Sequence, residues 1–216
     1  TGLHHALNNV FWFDTIGLGD LKHFWAGETS ADVGWDLGMY MSGFFPCMMF
    51  GIPGAALAMV RTAKNKKAAI GLVVSAAICA FVCGVTEPFE FGFMFLCFPL
   101  YVVYAALYGI FTIITYYSGF RAGFCFSAGA TDLVFSASLP AAAKTWMIIP
   151  LGIAAFLVFY FVFYFAITKF DLKTPGREDD DVEESEKNIK LSNNNYTAIA
   201  TGVLAAVGGK ENITGA

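Results

Sequence analysis

Long apolar runs separated by short polar punctuation dominate this chain. From Leu37 to Val60 the sequence is apolar but interrupted by Gly38, Gly43, Pro46, Gly51, Pro53 and Gly54. Three more apolar stretches follow, at about residues 68 to 85, 91 to 118 and 146 to 168, with a Gly/Ala/Ser-rich segment from Arg121 to Ala143 between the last two. These runs approach the roughly 20 residues that a membrane-spanning helix needs. The interruptions are tolerable at membrane depth only where neighbouring protein takes up the freed backbone groups. The pattern predicts an all-α membrane protein.

The polar segments set the topology. Arg61, Lys64, Lys66 and Lys67 follow the first apolar run and place that turn on the cytoplasmic side by the positive-inside rule. Beyond Lys169 the composition changes to Asp171-Leu172-Lys173-Thr174-Pro175-Gly176-Arg177-Glu178-Asp179-Asp180-Asp181, read as a charged flexible linker too polar to bury. If both ends are cytoplasmic, an even number of crossings must separate them, yet three apolar stretches intervene. One piece must therefore enter and turn back, or the 121 to 143 segment must take part. Thr86-Glu87-Pro88 is the predicted turning point. Proline disfavours helix for the residue before it, so a helix from Ala68 breaks near Glu87, and Pro88 opens the next one.

This break is also where the chemistry concentrates. Gly84-Val85-Thr86-Glu87-Pro88-Phe89-Glu90-Phe91 sets two carboxylates between apolar runs. An ionisable group at that depth costs roughly 2.5 to 3.5 kcal/mol and survives where it pairs, lines a wet cavity or reacts. Unwound backbone between half-helices builds substrate sites in many transporters. Thr86 and Glu87 would offer a hydroxyl and two strong acceptor oxygens, for which a sugar is the natural complement. For Glu87 the competing structural reading is a cap on the helix that starts at Pro88. Glu90, three residues on, reads first as a reach-back cap of that start. Asp132 stands either as a substrate contact or as a partner of Arg121 or a backbone group. The adjacent His4 and His5 cannot both face one point of a helix, so a metal pair is a poor reading. One imidazole facing a cavity as a ligand donor is the other reading. Residues 14 to 36 read as loop, with His23 on the surface.

Composition narrows the classes without adding chemistry. Hydrophobic residues make up 57% and aromatics 17% of 216 residues, and the mean hydropathy is +0.61, which excludes an ordinary soluble domain. The net charge of −4 misleads, because the acids gather after residue 170; nothing points to a nucleic-acid partner. Cys47, Cys79, Cys83, Cys97 and Cys125 lie in apolar surroundings without a CxxC pair and read as packing. No metal, cofactor, P-loop, dinucleotide fingerprint or nucleophile elbow is expected. Asn195-Tyr196-Thr197 and Asn212-Ile213-Thr214 match the glycosylation pattern but fall on the inferred cytoplasmic side. The chain begins at Thr1 without a signal-peptide pattern and ends as a new segment starts, and it reads as an internal fragment.

Three motifs in fixed order carry a resemblance: Gly2-Leu3-His4-His5, Gly84-Val85-Thr86-Glu87-Pro88-Phe89-Glu90-Phe91 and Leu172-Lys173-Thr174-Pro175-Gly176-Arg177-Glu178-Asp179. Together they resemble the membrane (IIC) component of bacterial phosphoenolpyruvate-dependent sugar phosphotransferase systems, glucose superfamily. Val207-Gly208-Gly209-Lys210-Glu211-Asn212-Ile213 is similar to the opening of a fused IIB domain. Ala6-Leu7-Asn8-Asn9-Val10-Phe11-Trp12-Phe13 and Met41-Ser42-Gly43-Phe44-Phe45-Pro46-Cys47-Met48-Met49-Phe50-Gly51 look more like N-acetylglucosamine than glucose transporters.

The resemblance implies the C-terminal half of a IIC fold, transmembrane helices with re-entrant hairpins. Residues 1–170 would be IIC, 171–195 the linker and 196–216 the start of IIB. It implies a multi-pass protein of the bacterial inner membrane, dimeric through an N-terminal half outside this chain. Sugar would be bound by His4 or His5, Thr86 and Glu87, with Glu87 as the catalytic residue that orients the reacting sugar and accepts its proton, and Asn8, Glu90 and Asp132 as secondary candidates. A IIB phosphocysteine, charged through upstream IIA and HPr, would then phosphorylate the sugar at its C6 hydroxyl. The family's IIB cysteine lies beyond Ala216, so this stretch would not complete a turnover alone. A proton-coupled secondary carrier is the rival reading. The linker and the IIB-like tail speak against it.

Overall fold

The computed structural model describes residues 9–13, 15, 17–177, 200–201 and 203–204. The chain divides into two compact units, 1–177 and 178–216. Among the described residues the second unit contributes only helical positions at Ala200, Thr201, Val203 and Leu204.

The described residues contain helices and turns, with one isolated antiparallel bridge between Arg121 and Ala143 and no strand. The helices are α1 (Asp20–Trp25), α2 (Ser30–Val33), α3 (Phe44–Thr62), α4 (Lys66–Cys83), α5 (Glu87–Met94), α6 (Phe98–Ser118), α7 (Ala130–Ser136) and α8 (Thr145–Phe170). By length and composition α3, α4, α6 and α8 can each cross a membrane. The protein is thus an all-α membrane protein, as the hydrophobic pattern predicts.

Three local readings differ from the sequence expectation. Residues 14 to 36 are not all loop, since α1 and α2 lie within them. The interrupted run before Val60 contains one continuous helix, α3, in spite of Pro46 and Pro53. Pro46 sits in its first turn, and a π-helical turn at Cys47–Gly51 absorbs Pro53, with the Ile52 N–H reaching the Cys47 carbonyl five residues back. The stretch from 91 to 118 is two helices, separated at Phe95–Cys97, where Cys97 leaves helical geometry and Pro99 restarts it in α6.

Contacts between helices fix their directions. α3 and α8 run parallel and in close approach: a Cβ at Gly54 would lie 2.3 Å from the Phe156 carbonyl oxygen, and one at Gly152 would strike Phe50. Toward the other end Arg61 Nη1 donates to Tyr160 Oη at 3.1 Å. α4 runs opposite to α3, with Phe81 against Phe50. α5 then doubles back beside α4, Gly92 facing Leu72. α6 is antiparallel to α5, pairing Tyr104 with Phe89 and Tyr101 with Phe93. α4 and α5 therefore form a helical hairpin, and the segment after Phe170 returns to the Lys64 turn at the end of α3.

The same end of the molecule corrects the linker boundary. Residues 172–177 are packed, not free: Thr174, Pro175 and Gly176 are buried against the turn between α3 and α4. The Gly176 carbonyl accepts the N–H groups of Lys64 and Asn65, both at 2.9 Å. Arg177 Nη1 donates to the Thr62 carbonyl at 2.7 Å, and its Nη2 pairs with Asp171. The motif supplies a Pro-Gly turn and an arginine fork where the exposed α3 carbonyl end needs donors.

Two apolar clusters hold the first unit. One joins α3 to α6 and α8 through Phe89, Phe93, Tyr104, Phe159 and Phe163. The other lies at the opposite end from the Lys64 turn and gathers Phe24, Met41, Phe45, Phe120 and Phe124. Cysteines introduced at Lys64 and Lys173 of the full-length protein are expected to react with an impermeant maleimide from the same side of the membrane. Labelling from opposite sides would contradict this topology.

Candidate functional site

The re-entrant break is built by backbone chemistry. α4 stops because Gly84 takes a left-handed conformation (φ 73°), its N–H closing onto the Ala80 carbonyl at 2.9 Å. Thr86 is the N-cap of α5, with Glu87 and Pro88 as its first two residues, within one residue of the predicted restart. The Thr86 carbonyl accepts the N–H groups of Phe89 and Glu90, both at 3.0 Å. Glu87 and Glu90 both lie in this first turn, where the helix dipole favours negative charge.

A second tip meets the first. The segment after α6 returns toward the break and takes up the carbonyls that the end of α4 leaves free. Ser127 Oγ donates to the Gly84 carbonyl at 2.8 Å, and Thr131 Oγ1 donates to the Val82 carbonyl at 3.1 Å. The Asp132 carboxylate, buried at the start of α7, accepts the N–H groups of Cys125, Phe126 and Ser127 at 3.1, 2.9 and 3.0 Å. Of the readings open for Asp132, the backbone one is realised. Arg121 pairs instead with Asp36, while its Nη1 donates to the Phe120 carbonyl at 2.7 Å.

The other predicted site residues divide sharply. Thr86 is buried and Glu87 is exposed, and neither side chain has a hydrogen-bond partner among the described residues. Glu90 does not cap the helix start, because with Thr86 as N-cap it falls one position beyond the capping-box site; its Oε1 accepts the Tyr104 hydroxyl at 2.9 Å. That bond ties α5 to α6. His4, His5 and Asn8 lie outside the described residues. His23 is part of α1, with Nδ1 2.7 Å from Glu28 Oε2, so it is not plain loop surface.

The chain just after the histidine motif is nevertheless anchored beside the tips. The Trp12 ring packs edge-on against Phe124 (4.8 Å) and Phe44 (5.4 Å), and Phe124 directly precedes the Cys125–Ser127 turn. Trp12 Nε1 donates to the Tyr40 carbonyl at 3.1 Å, and Phe11 stacks on the Tyr40 ring at 4.7 Å.

Asp20, which sequence reasoning missed, holds that anchor in place. Fully buried, it accepts the Gly38 N–H at 2.6 Å on Oδ1 and the Tyr40 N–H at 3.0 Å on Oδ2. Its one visible sign was a carboxylate heading the apolar-patterned stretch Asp20-Leu21-Lys22-His23-Phe24-Trp25.

Residues 1–109 match the family described as "Phosphotransferase system, EIIC". The chain belongs to this family. It is 46% identical to the PTS system N-acetylglucosamine-specific EIICBA component of Klebsiella pneumoniae, over 99% of the chain and 34% of that protein. Identity is also 46% to the N-acetylglucosamine-specific EIICB component of Bacillus subtilis (strain 168), over 98% of the chain and 46% of the relative. A glucose-specific EIICBA component from Staphylococcus saprophyticus is 39% identical over 98% of the chain and 32% of its own length. The chain thus spans about a third to a half of the curated relatives it matches.

Burial pushes the Asp20 carboxyl up from 3.8 to about 6, against the two amide hydrogen bonds and Arg121, which pull it down. Between those values the folded protein keeps a proton that the unfolded chain has released. This group's contribution to stability is therefore present below 3.8 and is lost as pH rises toward about 6. Thermal scans of the wild type and Asp20→Asn from about pH 4 to pH 7 are expected to show the difference moving in the variant's favour as pH rises. A constant difference would exclude a titrating Asp20.

Proposed function

We propose that this chain is the sugar-binding and translocating part of a phosphotransferase-system permease that couples uptake of N-acetylglucosamine to phosphorylation at its C6 hydroxyl. The observation that carries the site is the contrast at the helix break. The carbonyls of Val82 and Gly84 and the amides of residues 125–127 are all taken up by protein, while the Thr86 hydroxyl and the Glu87 carboxylate have no partner among the described residues. A rigid frame that leaves one donor-acceptor hydroxyl and one acceptor-only carboxylate unused suits a neutral ligand rich in hydroxyl donors. The specificities of the relatives suggest the sugar, with higher identity to the N-acetylglucosamine-specific proteins than to the glucose-specific one.

In this reading Thr86 and Glu87 bind the sugar together with His4 or His5, and Asn8 is a further candidate contact. Glu87 accepts a hydrogen bond from the reacting hydroxyl. That oxygen attacks the phosphorus of a IIB phosphocysteine, the P–S bond breaks, the thiolate leaves and the hydroxyl proton passes to Glu87. The protein's work on the acceptor side is positioning and charge placement, which is most of what phosphoryl transfer needs. IIC would bind and carry the sugar, and the phosphoryl donor would belong to IIB, charged through IIA and HPr. The basic turn at Lys64 would face the cytoplasm of a bacterium, and the protein would sit in its inner membrane.

The domain reading is residues 1–170 as IIC, 171–195 as the linker and 196–216 as the start of IIB, with residues 174–177 of that linker docked on the Lys64 turn.

Mass spectrometry of labelled N-acetylglucosamine taken up by cells expressing the full-length protein is expected to find the 6-phosphate. Unmodified accumulated sugar would instead support a proton-coupled secondary carrier. Glu87→Gln keeps the shape and removes the charge. Charge-assisted hydrogen bonds contribute roughly 1.5 to 3 kcal/mol each, so phosphorylation-coupled uptake should fall by about tenfold or more. Near wild-type uptake by this variant would reject Glu87 as the sugar-binding carboxylate.

A further inference from the structure

Asp132 is a buried carboxylate near the break, and all three of its recorded hydrogen bonds go to backbone. A single oxygen, Oδ2, accepts three consecutive backbone N–H groups, from Cys125, Phe126 and Ser127. Three donors on one acceptor hold that turn in a fixed shape, and bonds to an ionised acceptor are roughly twice as strong as neutral ones. The turn's last residue then reaches across to the other hairpin, where Ser127 Oγ donates to the Gly84 carbonyl at 2.8 Å. Gly84 lies two residues before Thr86 and three before Glu87, and its left-handed φ sets the direction in which the chain leaves α4. The tips also meet without slack. A Cβ at Gly129 would lie 2.5 Å from both the Val82 carbonyl oxygen and the Gly84 nitrogen.

We propose that Asp132 is a positioning residue for the sugar site. It holds the Cys125–Ser127 turn, which holds the Gly84 carbonyl through Ser127, and so aims Thr86 and Glu87 without touching the sugar. This rests on the reading of Thr86 and Glu87 as sugar contacts. It replaces the role of direct substrate contact that residue type suggested for Asp132. An asparagine at 132 would keep the size but lose the charge that holds three amides. An alanine at 127 would leave the three amide bonds to Asp132 in place and remove the link to Gly84, together with the weaker hydroxyl contact to Met48 Sδ at 3.7 Å.

The test is calorimetric titration of purified full-length protein with N-acetylglucosamine, carried to millimolar sugar, for wild type, Asp132→Asn, Ser127→Ala, Glu87→Gln and the Asp132→Asn/Glu87→Gln double variant. Thermal unfolding is measured alongside. Asp132→Asn is expected to weaken binding about tenfold, as loss of one charge-assisted interaction does, and Ser127→Ala several-fold. The double variant should lose less than the product of the two single losses, because a frame that aims a carboxylate has little left to do once the charge is gone.

A purely structural Asp132 would lower the unfolding temperature, leave the affinity of the folded protein unchanged and multiply with Glu87→Gln; either unchanged affinity or multiplicative losses overturn the proposal. If Asp132→Asn yields no folded protein, Ser127→Ala alone and with Glu87→Gln decides by the same criteria. Wild-type affinity in Glu87→Gln would remove the sugar-contact reading itself, and the proposal with it. By contrast, a weakened Glu87→Gln beside wild-type binding in both Asp132→Asn and Ser127→Ala rejects only the positioning role.

Discussion

A helix that stops inside an apolar environment must give its last carbonyls to some donor, and much of the site's construction follows from that demand. α4 ends at Cys83, and the freed carbonyls of Val82 and Gly84 go to the hydroxyls of Thr131 and Ser127. Those hydroxyls are in place only because the segment after α6 turns back toward the break. That turn in turn needs an acceptor for its own amides, and Asp132 supplies it. The two tips are thus mutually dependent. Among the described residues, the Thr86 hydroxyl and the Glu87 carboxylate are left without a hydrogen-bond partner.

The opposite end solves the same problem with different residues. α3 ends at Thr62 beside the Lys64 turn, and the Thr62 carbonyl is taken by Arg177, while the Gly176 carbonyl receives the amides of Lys64 and Asn65. The segment after α8 therefore serves as a clasp. It sets the end of α8 beside the end of α3, consistent with the parallel packing of those helices at Gly54 and Phe156.

Between the ends the core is mostly aromatic. Phe89, Phe93, Tyr104, Phe159 and Phe163 form a contiguous set of edge-on, tilted and stacked contacts joining α5 to α6 and α8. Glu90 adds a polar bond between α5 and α6, to Tyr104. A carboxylate that looked like a helix cap is thereby a tie between two helices, so the hairpin is fixed at its tip by one polar network and along its length by another contact.

Periodicity, proline position and charge clusters were enough to establish the all-α membrane class, helices long and apolar enough to span, and the break at Gly84–Glu87. These are local or one-dimensional properties: helix length, the steric effect of Pro88 on Glu87, and the sign of charge after a span. Partner choice was not legible in the same way. Asp132 pairs with amides five to seven residues away instead of with Arg121, Arg121 pairs with Asp36, and Glu90 finds Tyr104 fourteen residues on. A carboxylate accepts from any donor that the packing brings within reach, so residue type leaves several partners open. Asp20 and the docked Lys173–Arg177 segment were hidden for a related reason. Both look polar and exposed as sequence, and only the amides of Gly38, Tyr40, Lys64 and Asn65, brought close by the fold, make their packing favourable.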